Sequence, residues 1–542
     1  MNFKKNESAQ KLRGGYYTPL DLSAFLAKWV QQTNPQKLLE PSCGDGVFFE
    51  AMSRVGGFSK TDVTGFELDE EEATRAAERV SSSHFSKLTI HQADFLEWGL
   101  IQIINKNQYF DAVLGNPPFI RYQYLPKAFQ DFSESIFEAL QVKFTKHTNA
   151  WVPFVLASIA LLRPGGRLAM VIPSEIVHVT HAQGLRTFMG KHCKKVVLID
   201  PQEIWFDGTL QGTVLLLAEK KENIFSPSEG VAIYPVKNKE FLEKSPWNTF
   251  QSAKPINGKT VTGKWTRALV NKESIDLFDS LAEHSSVHLF NNIARVDVGI
   301  VTGANKFFLV TDDVVAKYSL GQWAYPMFGR SEHCPGIVYD QKQHDENKRK
   351  GNATNFIWFK PTDKLSIDAK KYIEYGESQD LTLRYKCRIR TPWYSVPSVY
   401  STEIGMLKRS HHCPRLIYND IRAYTTDTAY RITTNTVAAK KLVGCFINPL
   451  TMLSAELEGR HYGGGVLELI PSEIERLIIP LPNSVMVDIA KLDVDIRNKP
   501  IEDVLKRQGD VVLSPLGITG VDREKLLSAW LQLCQRRQRT TD

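Results

Sequence analysis

Several features of exported and membrane proteins are absent from this chain. Its 542 residues contain no run of eighteen or more apolar residues, so we expect no membrane span. The first residues lack the apolar core of a signal peptide, so we expect no export. The seven cysteines are scattered and odd in number, which argues against a disulfide framework and favours a reducing compartment. The sequence therefore predicts a cytoplasmic protein.

The positive charge of the chain is unevenly distributed. The formal net charge is +7, but residues 1–220 contain 23 Lys and Arg and 23 Asp and Glu, so the whole excess lies after residue 220. A neutral front part and a basic rear part fit a small-molecule site joined to a polyanion-binding surface. An ordinary soluble surface with a slight basic bias explains the charge equally well.

The length indicates about two to four domains. Residues 1–220 alternate strand-like and helix-like segments, which predicts a parallel, doubly wound sheet. The charged and polar stretch Asp340–Thr354 is expected to form a mobile loop. We divide the chain into an α/β domain at 1–235, a linker at 236–262, a mixed α+β domain at 263–500 and a C-terminal helical segment at 501–542.

One tetrapeptide indicates a particular chemistry. Asn116-Pro117-Pro118-Phe119 directly follows the apolar run Phe110–Gly115, at the carboxyl end of a predicted strand, where open α/β sheets bind their ligands. The Asn116 amide oxygen and a backbone carbonyl can accept both hydrogen bonds of one conjugated NH2 group, while Phe119 stacks on the attached ring. These two bonds make the nitrogen a better nucleophile. A proline turn that closes a strand is the alternative interpretation.

Three earlier strand ends suit a nucleoside-containing cofactor. Leu39–Gly46 is a strand followed by a tight glycine turn, which lets a cofactor approach the backbone. It has neither G-x-G-x-x-G spacing nor a G-K-[ST] ending, so no phosphate cradle is expected. Glu67 suits ribose hydroxyls, and Asp94 suits an adenine amino group, with Phe95 against the ring. Each acidic residue alone is more often a solvated strand end or a helix cap; the series in order favours a cofactor site.

These elements, preceded by Tyr16-Tyr17-Thr18-Pro19, resemble those of the gamma-class DNA adenine-N6 methyltransferases of restriction–modification systems, which use S-adenosylmethionine. The resemblance is strong over residues 14–220 and loose beyond them. It implies an α/β fold with a doubly wound, mostly parallel sheet of the class I S-adenosylmethionine-dependent methyltransferase type, plus a mixed α+β target-recognition domain. It also implies, by position, that the cofactor is bound by Tyr17, Thr18, Glu40, Pro41, Ser42, Cys43, Gly44, Glu67, Leu68, Asp94, Phe95 and Pro117.

The resemblance further implies how the reaction proceeds. The target adenine would be rotated out of double-stranded DNA and stacked between Phe119 and Phe206, with Trp205 as an alternative to Phe206. Asn116 and the Pro117 carbonyl would then orient its amino group. No metal is required. The chain contains no Pro-Cys dipeptide, which excludes the thiolate mechanism of cytosine-C5 methylation.

The rear part is expected to select the DNA sequence. Candidate contacts are basic and aromatic residues in turns, although for any single one a solvated surface residue is the simpler interpretation. In the rear part they are Lys306, Arg330, Lys408, Arg409, Arg422, Tyr424, Arg460 and Tyr462, and Arg121 in the front part is a further candidate. The pairs His333-Cys334 and His412-Cys413 match no standard zinc motif, so no metal site is expected.

The predicted activity is therefore site-specific DNA adenine methylation, by a monomer whose partners are double-stranded DNA and a separate cognate restriction endonuclease. Three alternatives remain open at this stage. The same tetrapeptide serves enzymes that methylate an RNA guanine amino group or a protein glutamine. A non-catalytic DNA-binding subunit is the third alternative, although an intact Asn116 and Phe119 argue against it.

Overall fold

The apolar runs of the front part form one eight-stranded sheet in the computed structural model of the chain. The structure describes residues 18–107, 109–120, 122–146, 148–203, 205, 212–256, 263–360, 362–462, 464–485 and 487–538. The strands are ordered β3-β2-β1-β4-β5-β7-β6-β8. Strands β1 to β5 run parallel to one another, β7 lies antiparallel between β5 and β6, and β8 is parallel to β6. The strand bounds are β1 Lys37–Glu40, β2 Asp62–Glu67, β3 Lys87–Gln92, β4 Phe110–Gly115, β5 Leu162–Pro173, β6 Cys193–Pro201, β7 Thr213–Lys220 and β8 Gly230–Val236.

Helices connect these strands in the alternating pattern that the sequence predicts. Asp69 and Asp94 begin two of them, since each side chain accepts a hydrogen bond from a backbone N–H of the first turn. Another, α6, is buried on all sides, with ten of its eleven residues inaccessible to solvent. The bounds are α1 Leu20–Gln31, α2 Val47–Val55, α3 Glu70–Arg79, α4 Phe95–Ile104, α5 Lys127–Ala139, α6 Trp151–Leu161, α7 Gln183–His192 and α8 Pro246–Ser252.

Part of the segment 236–262, assigned to a linker from the sequence, packs against the core of the first unit. The Phe250 ring lies 4.3 Å from that of Trp29, centroid to centroid. The Arg167 guanidinium lies over Trp29 at 4.1 Å and over Trp247 at 4.8 Å. Aromatic burial and cation–π contacts therefore attach α8 to this unit, which extends to Leu269.

The second unit runs from Val270 to Gln538 and combines small sheets with helices. Its largest sheet is ordered β10-β19-β15-β17-β13, and a second one is ordered β11-β14-β12-β18. Its strands are β9 Val287–Leu289, β10 Arg295–Val298, β11 Leu309–Val310, β12 Ala324–Phe328, β13 Val338–Tyr339, β14 Asn355–Ile357, β15 Ile404–Leu407, β16 Arg409–Ser410, β17 Leu416–Asn419, β18 Tyr424–Thr425, β19 Ala429–Thr433, β20 Arg460–Tyr462, β21 Val466–Glu468 and β22 Ile478–Pro480.

The helices of this unit include a long one near the end of the chain, α21. They are α9 Lys272–Ala282, α10 Phe290–Ile293, α11 Asn305–Phe308, α12 Asp312–Lys317, α13 Gln341–Arg349, α14 Ile367–Ser378, α15 Tyr385–Arg388, α16 Ala439–Phe446, α17 Pro449–Glu458, α18 Pro471–Ile474, α19 Ile489–Asn498, α20 Ile501–Leu513 and α21 Gly520–Arg537. Among the helices described in either unit, none is long and apolar enough to cross a membrane.

The prediction of a mobile loop at Asp340–Thr354 is wrong, because most of this segment forms helix α13. Asp340 caps the helix by accepting a hydrogen bond from the Gln343 backbone N–H at 2.8 Å. The fully buried Asn347 donates to the His333 carbonyl at 2.8 Å. Polar residues are thus buried here through hydrogen bonds to distant partners, which composition does not reveal.

We expect Phe250→Ala to lower the free energy of unfolding of the first unit by about 3–5 kcal/mol, the usual cost of removing a buried aromatic ring. Equilibrium urea unfolding followed by tryptophan fluorescence measures this. The matched control is Phe225→Ala, since that ring is 93% exposed. Equal stability of the two variants would show that α8 contributes little to this unit.

Candidate active site

The parallel order of the sheet brings four predicted site segments to one edge. Strands β3, β2, β1 and β4 lie side by side, and their carboxyl ends are followed by Asp94, Leu68, Pro41 and Asn116. Loops at the carboxyl ends of parallel strands line the crevice in which such sheets bind ligands. The residues after β1 and β4 lie nearest to the point where the strand order reverses.

The turn after β1 requires glycine at two positions. Gly44 and Gly46 have φ of +51° and +82°, a left-handed conformation that other residues rarely adopt. A Cβ at Gly46 would lie only 2.8 Å from the Ala76 Cα, so the close approach of α2 and α3 also excludes a side chain. A Cβ at Gly44 would meet no atom within 4 Å. The turn is thus tightly packed on one side and open beside Gly44.

The Glu67 carboxylate fixes this turn to the end of β2. It accepts hydrogen bonds from the backbone N–H groups of Gly44 at 2.9 Å, Leu68 at 2.8 Å and Asp69 at 3.0 Å. The sequence assigns Glu67 to ribose hydroxyls and does not reveal this bracing role. Since a carboxylate offers about four acceptor positions, ribose hydroxyls would have to share them with these donors.

Asn116 is oriented by two residues from distant parts of the chain. Its Nδ2 donates to the Thr18 Oγ1 at 3.1 Å, and its backbone carbonyl accepts from the Ser42 hydroxyl at 3.0 Å. The turn after β1 approaches this loop closely, since a Cβ at Gly115 would lie 3.3 Å from the Pro41 Cδ. Thr18 and Ser42, both predicted as cofactor residues, therefore contact the predicted catalytic residue directly.

The Glu40 carboxyl is the most unusual electrostatic feature of the site. Its side chain is fully buried, and neither oxygen has a hydrogen-bond partner among the residues that the structure describes. Burial, reinforced by the negative charges of Asp45 and Glu67, raises the pKa of this carboxyl well above its usual value. A buried, unpaired carboxylate beside two others favours a positively charged ligand.

The remaining predicted residues of the first unit have different environments. Leu68 is 66% exposed at the sheet edge, whereas Phe95 is 2% exposed and packs against Phe66 and Phe154. Desolvation raises the pKa of the Asp94 carboxyl. The other residues are Pro117 and Cys43, which are buried, Phe119, which packs on the core, and Trp205, which is buried within it. Tyr17, Arg121 and Phe206 lie outside the described residues, as does the side chain of Tyr462.

Two segments of the chain match known families. Residues 52–205 match the Eco57I restriction-modification methylase family, and residues 262–513 match the C-terminal domain of Type II methyltransferase M.Eco57I. Over 497 residues the chain is 24% identical to Type II methyltransferase M.AccI of Acinetobacter calcoaceticus, covering 88% of this chain and 86% of that protein. The chain is therefore similar to Type II methyltransferases over most of its length.

Two further likenesses are to an adenine methyltransferase and to a solved structure. Over 180 residues, the chain is 24% identical to the tRNA1(Val) (adenine(37)-N6)-methyltransferase of Trichodesmium erythraeum, covering 33% of this chain and 68% of that protein. The solved structure of the Type IIL restriction-modification enzyme MmeI in complex with DNA has a TM-score of 0.55 at 12% identity, covering 95% of this chain and 75% of that chain. With the sheet order, these likenesses confirm the predicted fold: a class I S-adenosylmethionine-dependent methyltransferase sheet and a mixed α+β second unit.

In the second unit, the predicted DNA contacts differ in their exposure and in their bonding partners. Lys306 is exposed in the short helix α11, directly after a loop whose Val301 and Thr302 carbonyls each accept a hydrogen bond from Arg390 at 2.7 Å. The Arg460 Nε instead lies 3.0 Å from the buried carboxylate of Glu473. Lys306 is thus exposed to solvent beside a braced loop, while Arg460 is bound within the unit.

Two other candidates are partly exposed and also contact neighbouring side chains. The Arg422 guanidinium lies 3.5 Å from the Glu403 carboxylate, and its side chain is 57% exposed. Tyr424 packs edge-on against Tyr325, with ring centroids 5.6 Å apart, and also lies 6.2 Å from Trp358. Tyr424 therefore belongs to a partly exposed aromatic cluster.

The sequence analysis missed one charged residue at the same sheet edge. Glu175 follows β5, the strand next to β4, by two residues. Its carboxylate accepts hydrogen bonds from the Asn149 and Trp151 side chains. Applying the strand-end criterion to β5 as well as to β1–β4 would have found it.

We expect Glu40→Gln to stabilise the protein in the absence of ligand, and more so at pH 8 than at pH 5. A carboxyl whose pKa is raised in the folded state destabilises that state once the pH exceeds the unfolded value of about 4.5, and increasingly up to the folded pKa. Thermal unfolding at both pH values measures the difference. Glu71→Gln is the control, since that side chain is 85% exposed. A gain independent of pH would contradict the assignment of this charge.

Proposed function

We propose that the chain is a site-specific DNA methyltransferase. It would move a methyl group from S-adenosylmethionine to N6 of an adenine rotated out of double-stranded DNA, as the modification enzyme of a restriction–modification system. The observation that carries this proposal is Asn116 at the carboxyl end of β4, oriented by Thr18 and Ser42 beside the turn after β1. The names of its Type II methyltransferase relatives support the DNA substrate.

The residues of the turn fit S-adenosylmethionine, which carries a sulfonium and an ammonium group. The buried Glu40 carboxylate lacks partners among the described residues, and Asp45 and Glu67 lie near enough to raise its pKa further. Such a cluster gains stability from a cation. The open space beside Gly44 accommodates a close approach to the backbone. In this arrangement Glu40 and Thr18 would hold the methionine part, and Glu67 and Asp94 the nucleoside.

The bound cofactor would supply an activated methyl group on sulfur. The Asn116 amide nitrogen is engaged by Thr18, so the amide oxygen is the atom directed to accept from an adenine amino group. The Pro117 carbonyl would accept the second N–H, and Phe119 would stack on the base. Positioning of this kind accounts for a large share of rate enhancement without a metal or a covalent nucleophile.

The second unit supports DNA as the substrate. Residues 262–513 match the C-terminal domain of a Type II methyltransferase, and the positive excess lies after residue 220. Lys306 beside its braced loop is the contact with DNA that the structure supports best. We propose a monomeric cytoplasmic enzyme that acts separately from a cognate endonuclease.

RNA is the second candidate substrate, favoured by the likeness to a tRNA adenine-N6 methyltransferase. That likeness covers only 33% of this chain, so two thirds of the chain have no counterpart in it.

The decisive experiment is incubation of the purified protein with labelled S-adenosylmethionine and plasmid DNA, followed by direct sequencing for modified bases. We expect N6-methyladenine confined to one short sequence motif. Label in tRNA and none in DNA would favour the second candidate. Methylcytosine would contradict the proposed chemistry.

We expect Asn116→Ala to lower the methyl-transfer rate by about a hundredfold or more, the scale for losing a preorganised hydrogen bond to the reacting group. Cofactor affinity, measured by calorimetry, should change little. Glu40→Gln should do the opposite and weaken cofactor binding by about tenfold or more. Asn105→Ala is the control, since that residue is exposed at the end of α4. Undiminished turnover by Asn116→Ala would overturn the assigned role of this residue.

A further inference from the structure

Glu175 lies beside the loop that carries Asn116 and Phe119. Strands β4 and β5 are parallel, with Gly115 opposite Met170, so the residues that follow both strands open at the same edge of the sheet. Pro173 ends β5 and Glu175 follows in a short 3-10 turn. The catalytic loop and Glu175 therefore come from neighbouring strand ends.

One carboxylate oxygen of Glu175 is contacted by three side chains. Its Oε1 accepts a hydrogen bond from the Asn149 Nδ2 at 2.6 Å and another from the Trp151 Nε1 at 3.1 Å. The His181 Nε2 lies 3.6 Å from the same oxygen. Glu175 thus holds both residues that flank Ala150, and it fixes the start of α6.

Ala150 connects this cluster to the catalytic loop. Its backbone N–H donates to the carbonyl of Ile120 at 2.9 Å. Ile120 directly follows Phe119, the ring proposed to stack on the target base. A displacement of residues 149–151 would consequently move the Ile120 carbonyl and the end of the catalytic loop.

The turn that carries Glu175 is itself rigidly anchored. Arg186 on α7 is fully buried and donates to the Ile176 carbonyl at 2.7 Å and the Val179 carbonyl at 2.9 Å. A charged hydrogen-bond donor in this position holds the backbone on the C-terminal side of Glu175. The chain of contacts therefore runs from Arg186 through the Glu175 turn to Ala150 and Ile120.

We propose that Glu175 is a positioning residue for methyl transfer, which places Phe119 against the target base by holding residues 149–151. This inference rests on the proposed function. Loss of Glu175 would impair the stacking of the base and the transfer step while sparing cofactor affinity. A residue that only stabilises the fold would not show this combination.

The test compares Glu175→Leu, which removes the acceptor, with Glu175→Gln, which keeps an oxygen at the same position. We expect Glu175→Leu to lower the single-turnover rate of methyl transfer by about tenfold or more, the scale for misplaced reacting groups, and Glu175→Gln to recover most of it. Cofactor affinity should stay within about twofold of the wild type, on the same physical grounds. The matched control is Glu222→Leu, an exposed glutamate after β7, whose end lies at the opposite edge of the sheet.

A second readout reports on the base itself. DNA with 2-aminopurine in place of the target adenine should fluoresce differently with Glu175→Leu than with the wild type, because stacking on Phe119 is altered. Since Glu175→Leu removes a buried interaction, its folding is checked by thermal unfolding. Asn149→Ala, which removes one donor and leaves the carboxylate in place, should change the rate and the fluorescence in the same direction.

The outcomes separate the two proposals. A wild-type protein that methylates no adenine in DNA would overturn both of them. An active wild type, together with folded Glu175→Leu and Asn149→Ala proteins of equal rate and fluorescence, would overturn the role of Glu175 alone. A rate loss explained entirely by weaker cofactor binding would also overturn it.

Discussion

The site depends on the parallel pairing of β1 with both β2 and β4. Leu39 is opposite Val113 on one side, and Glu40 is opposite Gly65 on the other, so the turn after β1 is held between two other loops. The pairing lets Thr18 and Asn116 meet, although they are 98 residues apart in sequence. Without this register the glycine turn and the Asn-Pro-Pro-Phe loop would each be an ordinary strand end. Their chemistry is a property of the sheet edge.

The same arrangement lowers the stability of the folded protein. A buried carboxyl without partners among the described residues, close to two other negative charges, disfavours folding at neutral pH. Gly46 adds a second constraint on the same turn, because its conformation and the nearness of α3 leave no room for a side chain. Active sites commonly sacrifice stability for the binding of a transition state or a charged ligand. A cation bound beside Glu40 would recover part of this cost, so ligand binding and folding stability are coupled at one residue.

Local sequence predicted the elements of the front unit because strands, caps and glycine turns depend on neighbouring residues. Glu67 ends β2, and Asp94 and Asn116 closely follow the ends of β3 and β4, near the positions that the pattern predicts. Two predictions failed or fell short where distant partners decide the structure. Helix α13 has a polar composition typical of a loop, yet it is buried through hydrogen bonds such as that from Asn347 to His333. Helix α8 packs against Trp29 through Phe250. No local sequence pattern connects Trp29 to the polar segment that contains α8. Phe95 is 2% exposed and packs in the core, and its contact with a cofactor ring remains a prediction.

Charge in the second unit illustrates why composition alone cannot identify a DNA-reading surface. Arg537, at the end of α21, is buried and pairs with Glu456 at 2.7 Å while donating to the carbonyls of His411 and His412. Removing one partner of such a buried pair is far more costly than the pair is stabilising, so it acts as a structural anchor. Arginines of this kind contribute to the net charge but are not available to phosphates. Under the proposed function, selection of a DNA sequence would rest on the smaller set of basic side chains that remain exposed, such as Lys306 beside its braced loop.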